Sequence, residues 1–215
     1  MDLEAFILVG GKSSRMGEVA SDKALLKLDG VTLAERAANA IAAALSPKEI
    51  FFTARDEKQF AAKDLPKDIS LIYDRYKDRG AYSGLHAALS AAKTEWIFVL
   101  ACDYPLVPVE LLTFLAGFID ENIDAVAPVQ PDGRVQPLCA FYRVEPCLKT
   151  VESFLSADEK LPPLRAVFEK VRTRFVKFEE ISHLPGAENF FLNLNTPEDL
   201  KRNDIQIQNG SEFKL

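Results

Sequence analysis

An apolar run near the start of the chain ends in Leu8-Val9-Gly10-Gly11-Lys12-Ser13-Ser14-Arg15-Met16-Gly17, and Asp22-Lys23 follows shortly after. A strand that runs into two glycines, an arginine and a nearby lysine has the parts needed to hold a polyphosphate. Without a β-carbon at Gly10 and Gly11, backbone N–H groups can approach phosphate oxygens closely. Arg15 would neutralise charge through its planar fork and Lys23 as a mobile point charge. The pattern is not a dinucleotide-binding fingerprint, because Gly10, Gly11 and Gly17 do not fall as G-x-G-x-x-G, nor a Walker loop, because Phe6 stands where G-x-x-x-x-G-K-[ST] needs its first glycine.

Two aspartates stand where strands end. Asp103 lies in Ala101-Cys102-Asp103-Tyr104-Pro105-Leu106-Val107-Pro108, directly after an apolar run and before two prolines that fix the exit. Such a carboxylate suits a hard cation like Mg²⁺, which commonly takes one or two protein carboxylates and fills its octahedron with phosphates and water. The competing reading is that Asp103 caps the helix expected near Val109. Asp74 opens Asp74-Arg75-Tyr76-Lys77-Asp78-Arg79, whose charges suit a solvated loop. Beyond it, Gly80 and Gly84 let the next helix approach closely with its positive end toward an anion or a polar base edge.

These residues need a scaffold, and the pattern supplies one. Strands are expected over 5–9, 49–54, 70–73 and 96–101. Helices are expected over 32–45 (with Thr32 as cap), 57–63, 83–93 and 109–121. Short apolar strands alternating with helices make an α/β fold, a mostly parallel sheet covered on both faces, in which ligands bind beyond the carboxyl ends of the strands. The glycine loop, Asp74 and Asp103 then converge on one sheet edge. Further on, 125–129 and 136–142 flank Pro131-Asp132-Gly133 and read as a hairpin. Helices are expected over 145–156 and 164–170, and strands over 172–178 and 190–194. Thr196 and Pro197 suit the start of a last helix. One domain over 1–205 is expected, with 206–215 as a tail whose last residues are polar and frayed.

Composition bounds the function. The 215 residues are 48% hydrophobic and 27% charged, as in a soluble globular protein. A net charge of −6 disfavours nucleic acid or an anionic membrane as partner. No apolar run reaches the ~18 residues of a membrane span, and no secretory signal is visible. Cys102, Cys139 and Cys147 are too few and scattered for a disulfide framework or zinc site, so buried, reduced thiols in a cytoplasmic protein are expected. His86 and His183 have no partner at ligand spacing and read as packing or surface residues. A hydrolase triad therefore has little support. Trp96 reads as core.

The stretch 8–17 with Asp22-Lys23, the stretch 80–84, Cys102-Asp103-Tyr104-Pro105 and Asn193-Leu194-Asn195-Thr196-Pro197 together resemble the molybdenum cofactor guanylyltransferases, the MobA family. The opening motif marks the wider nucleotidyltransferase superfamily, while the C-D-x-P step and the N-x-N-T-P ending narrow it. The resemblance covers the chain to about Arg202. It implies a Rossmann-like three-layer α/β/α fold and transfer of GMP from Mg-GTP to the terminal phosphate of the molybdopterin cofactor, releasing pyrophosphate. It further implies that Leu8, Val9 and Gly10 line the base and ribose and that Gly11 binds the nucleotide. Arg15 and Lys23 would face the triphosphate, and Thr53, Asp74 and Gly84 would lie by the nucleotide. Asp103 would hold Mg²⁺, and Asn193 and Asn195 would fall near the acceptor. Transient contact with the proteins that donate and receive the cofactor would follow. Two departures stand out: 18–21 is longer than the family's usual spacing, and Thr53 replaces a frequent Asn, offering one donor where an amide offers two. Rival readings are a related transferase using CTP or another phosphorylated acceptor, and a nucleotide-binding regulator without turnover.

Overall fold

The computed structural model describes residues 2–10, 23–59, 69–157, 160–194 and 207–208. In chain order the elements are β1 (Leu3–Leu8), β2 (Lys27–Leu28), β3 (Val31–Thr32), α1 (Leu33–Leu45), β4 (Ile50–Ala54), β5 (Ser70–Tyr73), α2 (Ala81–Ala91) and β6 (Trp96–Ala101). There follow α3 (Val109–Ala116), β7 (Ala125–Pro128), β8 (Cys139–Arg143), α4 (Val144–Ser156), β9 (Thr173–Val176), α5 (Phe178–Ile181) and β10 (Ile207–Gln208).

Seven strands form one sheet in the order β5-β4-β1-β6-β8-β7-β9. The first four run parallel, β8 is antiparallel to both β6 and β7, and β9 is parallel to β7. All six residues of β1 and of β6 are buried, as central strands covered on both faces require. Alternate strand residues feed two cores. Ile7, Phe52 and Phe98 pack with α1 and α3 on one face, and Phe6, Phe51 and Val99 with α2 and α4 on the other. This is the expected α/β/α layering.

Register sets the edge that matters. Leu8 lies opposite both Thr53 and Ala101, and Tyr73 lies opposite Ala54, so β1, β4, β5 and β6 end together. From β1 the chain moves outward through β4 to β5 and then returns to the other side of β1 for β6. That reversal places the topological switch point, where α/β sheets open a ligand crevice, between β1 and β6.

Local chemistry accounts for most boundaries. The Thr32 side chain accepts from Glu35 N–H at 3.1 Å while Glu35 Oε2 accepts from Thr32 N–H at 3.0 Å, a full capping box for α1. The hairpin closes through Gly133, at φ +83°, whose N–H donates to the Gln130 carbonyl at 2.9 Å. Other expectations are revised. Residues 57–59 form a turn, because Gln59 Oε1 captures the Arg55 N–H; 60–63 lie outside the described residues. α2 starts two residues earlier than expected, and α3 ends at Ala116, where the Phe118 and Ile119 N–H groups turn to carbonyls three residues back. Residues 164–167 tighten into a 3₁₀ turn. Residues 190–194 form no strand: Phe190 closes a 3₁₀ turn, and the Leu194 N–H goes to the Asp103 carbonyl at 3.1 Å rather than to a ladder. Ile207 and Gln208, expected in the tail, pair antiparallel with Leu28 and Lys27. Thr196 and Pro197 lie outside the described residues.

Candidate active site

The end of β1 is clamped by its neighbours. Val9 and Gly10 N–H both donate to the Thr53 carbonyl at 3.1 Å, and the Leu8 carbonyl accepts from Cys102 N–H at 3.2 Å. Gln59 Nε2 donates to the Val9 carbonyl at 2.7 Å, while the same side chain's oxygen takes the Arg55 N–H. These backbone groups are committed within the protein, so the segment forms a rigid wall. A Cβ at Gly10 would stand 3.0 Å from Arg55 N and 3.4 Å from the Ala54 carbonyl carbon, so glycine is needed for close passage against β4. Gln59 was not legible in the sequence, since nothing local marks a glutamine that bridges two strand ends.

The first turn of α2 presses onto this wall. A Cβ on Gly84 would stand 2.9 Å from Leu8 Cγ and Cδ2 and 3.9 Å from Asp74 Oδ1. Gly80, at φ +57° and ψ −137°, makes a bend open only to glycine. Asp74 continues β5, its N–H donating to the Ala54 carbonyl at 2.9 Å. Its Oδ1 is buried without a partner, and that burial pushes its pKa up to about 6 against the pull of Arg55. The hydroxyls of Thr53 and Ser83 are likewise buried and unpartnered. Buried polar atoms cost free energy unless something satisfies them. Three of them, at β4, β5 and the start of α2, beside Leu8 and Gly84, suit the polar edges of a ligand. Ser83 was not singled out from sequence.

Across the switch point stands the charged half. Lys23, on a 3₁₀ turn spanning Lys23–Leu25, reaches the Asp103 carboxylate with Nζ 3.1 Å from Oδ2; both side chains are largely buried, at 14% and 20% exposure. Asp103 Oδ1 is buried without a partner. The helix-cap alternative fails: α3 begins after Pro108 with no side-chain cap. Among the described residues no group of three or more His, Cys, Asp or Glu could hold a metal by itself. One carboxylate with an open oxygen fits a hard cation that takes its other ligands from phosphate and water.

Asn193 is held beside Asp103 by the Leu194 N–H bond, and its Oδ1 too is buried and unpartnered. Tyr104 and Gln136, neither foreseen, complete this side: the buried Tyr104 hydroxyl donates to Gln136 Oε1. Gly11, Arg15 and Asn195 lie outside the described residues. Leu8, Val9, Gly10, Thr53, Asp74, Gly84, Lys23, Asp103 and Asn193 are brought to one edge of the sheet.

The remaining expectations concern packing. Cys102, Cys139 and Cys147 are buried and form no disulfide, with the thiols of Cys139 and Cys147 pushed up to about 12 by desolvation. His86 is buried against Tyr76 and near Ser90, and His183 lies edge-on to Phe114. Trp96 is core. Among the described residues no helix is long and apolar enough to cross a membrane.

The sequence pattern of the MobA-like NTP transferase domain matches residues 5–174. The molybdenum cofactor guanylyltransferase of Desulfosudis oleivorans is 29% identical over 204 residues, covering 95% of each chain. That of Campylobacter jejuni subsp. doylei is 32% identical over 201 residues, covering 94% of this chain and 95% of the relative. The crystal structure of molybdopterin-guanine dinucleotide biosynthesis protein A from Archaeoglobus fulgidus aligns with a TM-score of 0.73 at 28% identity, over 93% of this chain and 95% of that one. The matched segment brings the glycine wall, Lys23, Asp74 and Asp103 to one edge of the sheet, and the chain belongs to the MobA-like NTP transferase domain family.

Proposed function

We propose that this chain transfers GMP from Mg-GTP to the terminal phosphate of the molybdenum-molybdopterin cofactor, giving the guanine dinucleotide form and pyrophosphate. The observation that carries the reading is the Lys23–Asp103 pair at the switch point, whose carboxylate keeps a second, unpartnered oxygen. A lysine and a metal-competent carboxylate side by side suit a triphosphate that arrives with its cation.

In this reading the acceptor's phosphate oxygen attacks the α-phosphorus in line. The bond from that phosphorus to the bridging oxygen breaks, and the electron pair leaves on pyrophosphate. A phosphate nucleophile is already ionised at neutral pH, so no general base is needed and the scarcity of histidine is no obstacle. Lys23 and Arg15 stabilise charge moving onto the leaving group. Asp103 holds Mg²⁺, which when bound neutralises triphosphate charge. The base and ribose lie against Leu8, Val9 and Gly10, with Gly11, Thr53, Asp74 and Gly84 by the nucleotide. Asn193 and Asn195 meet the acceptor. The protein acts as a single domain, expected over 1–205 and extended by β10, in the cytoplasm, where its three cysteines stay reduced. It meets the proteins that donate and receive the cofactor only transiently.

The test is pyrophosphate release with molybdopterin cofactor as acceptor, run with Mg-GTP beside Mg-CTP. Acceptor-dependent release with GTP alone is expected. Release with CTP would move the protein to a cytidylyl branch, and silence with both would reopen the acceptor or point to a regulator. Asp103→Ala separates enzyme from regulator, because an enzyme loses turnover far more than nucleotide affinity.

A further inference from the structure

The peptide that joins Val9 to Gly10 is held at both of its polar ends. Its N–H, that of Gly10, donates to the Thr53 carbonyl at 3.1 Å, and its carbonyl, that of Val9, accepts from Gln59 Nε2 at 2.7 Å. The same Gln59 side chain offers its oxygen to the Arg55 N–H, also at 2.7 Å. Arg55 N is the atom that a Cβ on Gly10 would meet at 3.0 Å. One carboxamide thus ties the end of β1 to the chain leaving β4 where Gly10 passes against it.

A tight turn delivers this side chain. The Asp56 carboxylate accepts from Lys58 N–H at 2.9 Å, and the Asp56 carbonyl accepts from Gln59 N–H at 3.2 Å. Gln59 folds back, half-buried, over the strand end it has just left. Ordering so long a side chain costs conformational entropy, and a surface turn has no need of it. The need lies in the peptide. A peptide that precedes glycine turns over readily, because glycine accepts φ of either sign. Rotation here would exchange the directions of the Val9 carbonyl and the Gly10 N–H. The Thr53 carbonyl is a divided hold, since it also accepts from Val9 N–H at 3.1 Å. Gln59 supplies the second one.

We propose that Gln59 is a positioning residue for the nucleotide: by donating to the Val9 carbonyl it locks the Val9–Gly10 peptide in one orientation, and so fixes the wall against which base and ribose lie. The proposal rests on the transferase reading above, which sets the nucleotide against that wall. Gln59 acts through the peptide.

Two variants test it. Gln59→Leu removes both side-chain bonds with little change in volume. Gln59→Glu keeps an oxygen for the Arg55 N–H, but its carboxylate has no proton to donate to Val9. Mg-GTP binding is measured by calorimetry without acceptor, and pyrophosphate release with acceptor gives kcat and both KM values. Each variant should bind Mg-GTP about tenfold more weakly, the worth of one hydrogen bond. GTP KM should rise in step, while kcat and acceptor KM stay within about twofold of wild type. Agreement between the two variants separates the lost donor from the added charge of the glutamate. If Gln59→Leu does not fold, Gln59→Glu carries the same comparison. Wild-type affinity in either variant, or kcat and acceptor KM worsening as far as GTP KM, would overturn the positioning role and leave the transferase standing. A wild-type protein that binds no Mg-GTP would remove the transferase reading, and this role with it.

Discussion

Asp103→Asn is the substitution that separates what holds the fold from what performs the reaction. Lys23 Nζ lies 3.1 Å from Asp103 Oδ2. At that distance, in an effective dielectric of about 20, the gross attraction is about 5 kcal/mol. Most of it is offset, because taking both charges out of water costs a similar amount. The asparagine keeps the shape and still offers an oxygen to the ammonium, so the net loss of stability is about 1–2 kcal/mol. For a chain of this length that is a fall in Tm of about 2–8 °C. Catalysis should respond on a different scale. The open oxygen loses the charge needed to hold Mg²⁺ against the triphosphate, and removal of one preorganised electrostatic group costs on the order of 10²–10³ in turnover. The assay is pyrophosphate release over a Mg²⁺ titration, with a thermal melt on the same preparation. The variant should need more Mg²⁺ for half-maximal rate and remain slow at saturation. Turnover within about tenfold of wild type at unchanged Mg²⁺ dependence would refute a metal-holding role, since it falls short of one preorganised group.

Other outcomes follow from the same geometry. Lys23→Ala should lose on the order of 10²–10³ in turnover, and near-wild-type turnover would remove Lys23 from the site. Burial holds the Asp74 pKa at about 6, above its ordinary 3.8, so its contribution to stability is full below about 3.8 and is lost as pH rises through about 6. Asp74→Asn abolishes that loss. From pH 4 to pH 7.5 its stability should gain on wild type by about 1 kcal/mol, reduced from the full shift because the carboxyl is only half-buried. Parallel melting curves without nucleotide at the two pH values would show otherwise. In Gly10→Ala the new methyl meets the Arg55 nitrogen at 3.0 Å, backbone that cannot swing aside. A stability loss of about 1–3 kcal/mol and a raised GTP KM are expected; an unchanged melt and KM would mean the wall is looser than its contacts imply.

The sequence by itself determined whatever depends on neighbours in the chain. Thr32 and Glu35 specify the start of α1 through a capping box four residues long, and Asp132-Gly133 specifies the hairpin turn. The apolar runs of β1 and β6 announce strands covered on both faces, and a glycine pair or an aspartate at a strand end announces a ligand edge. Tertiary structure decided what depends on residues far apart. Lys23 and Asp103 are 80 positions apart, Gln59 and Val9 are 50 apart, and Tyr104 and Gln136 are 32 apart. No periodicity encodes such pairs, because a side-chain hydrogen bond is satisfied by any suitable group that the packing delivers. The apolar residues 190–194 pass for a strand by pattern, yet a strand needs a free ladder beside it. Here the Leu194 N–H is taken by the Asp103 carbonyl, and that one long-range bond brings Asn193 to the site.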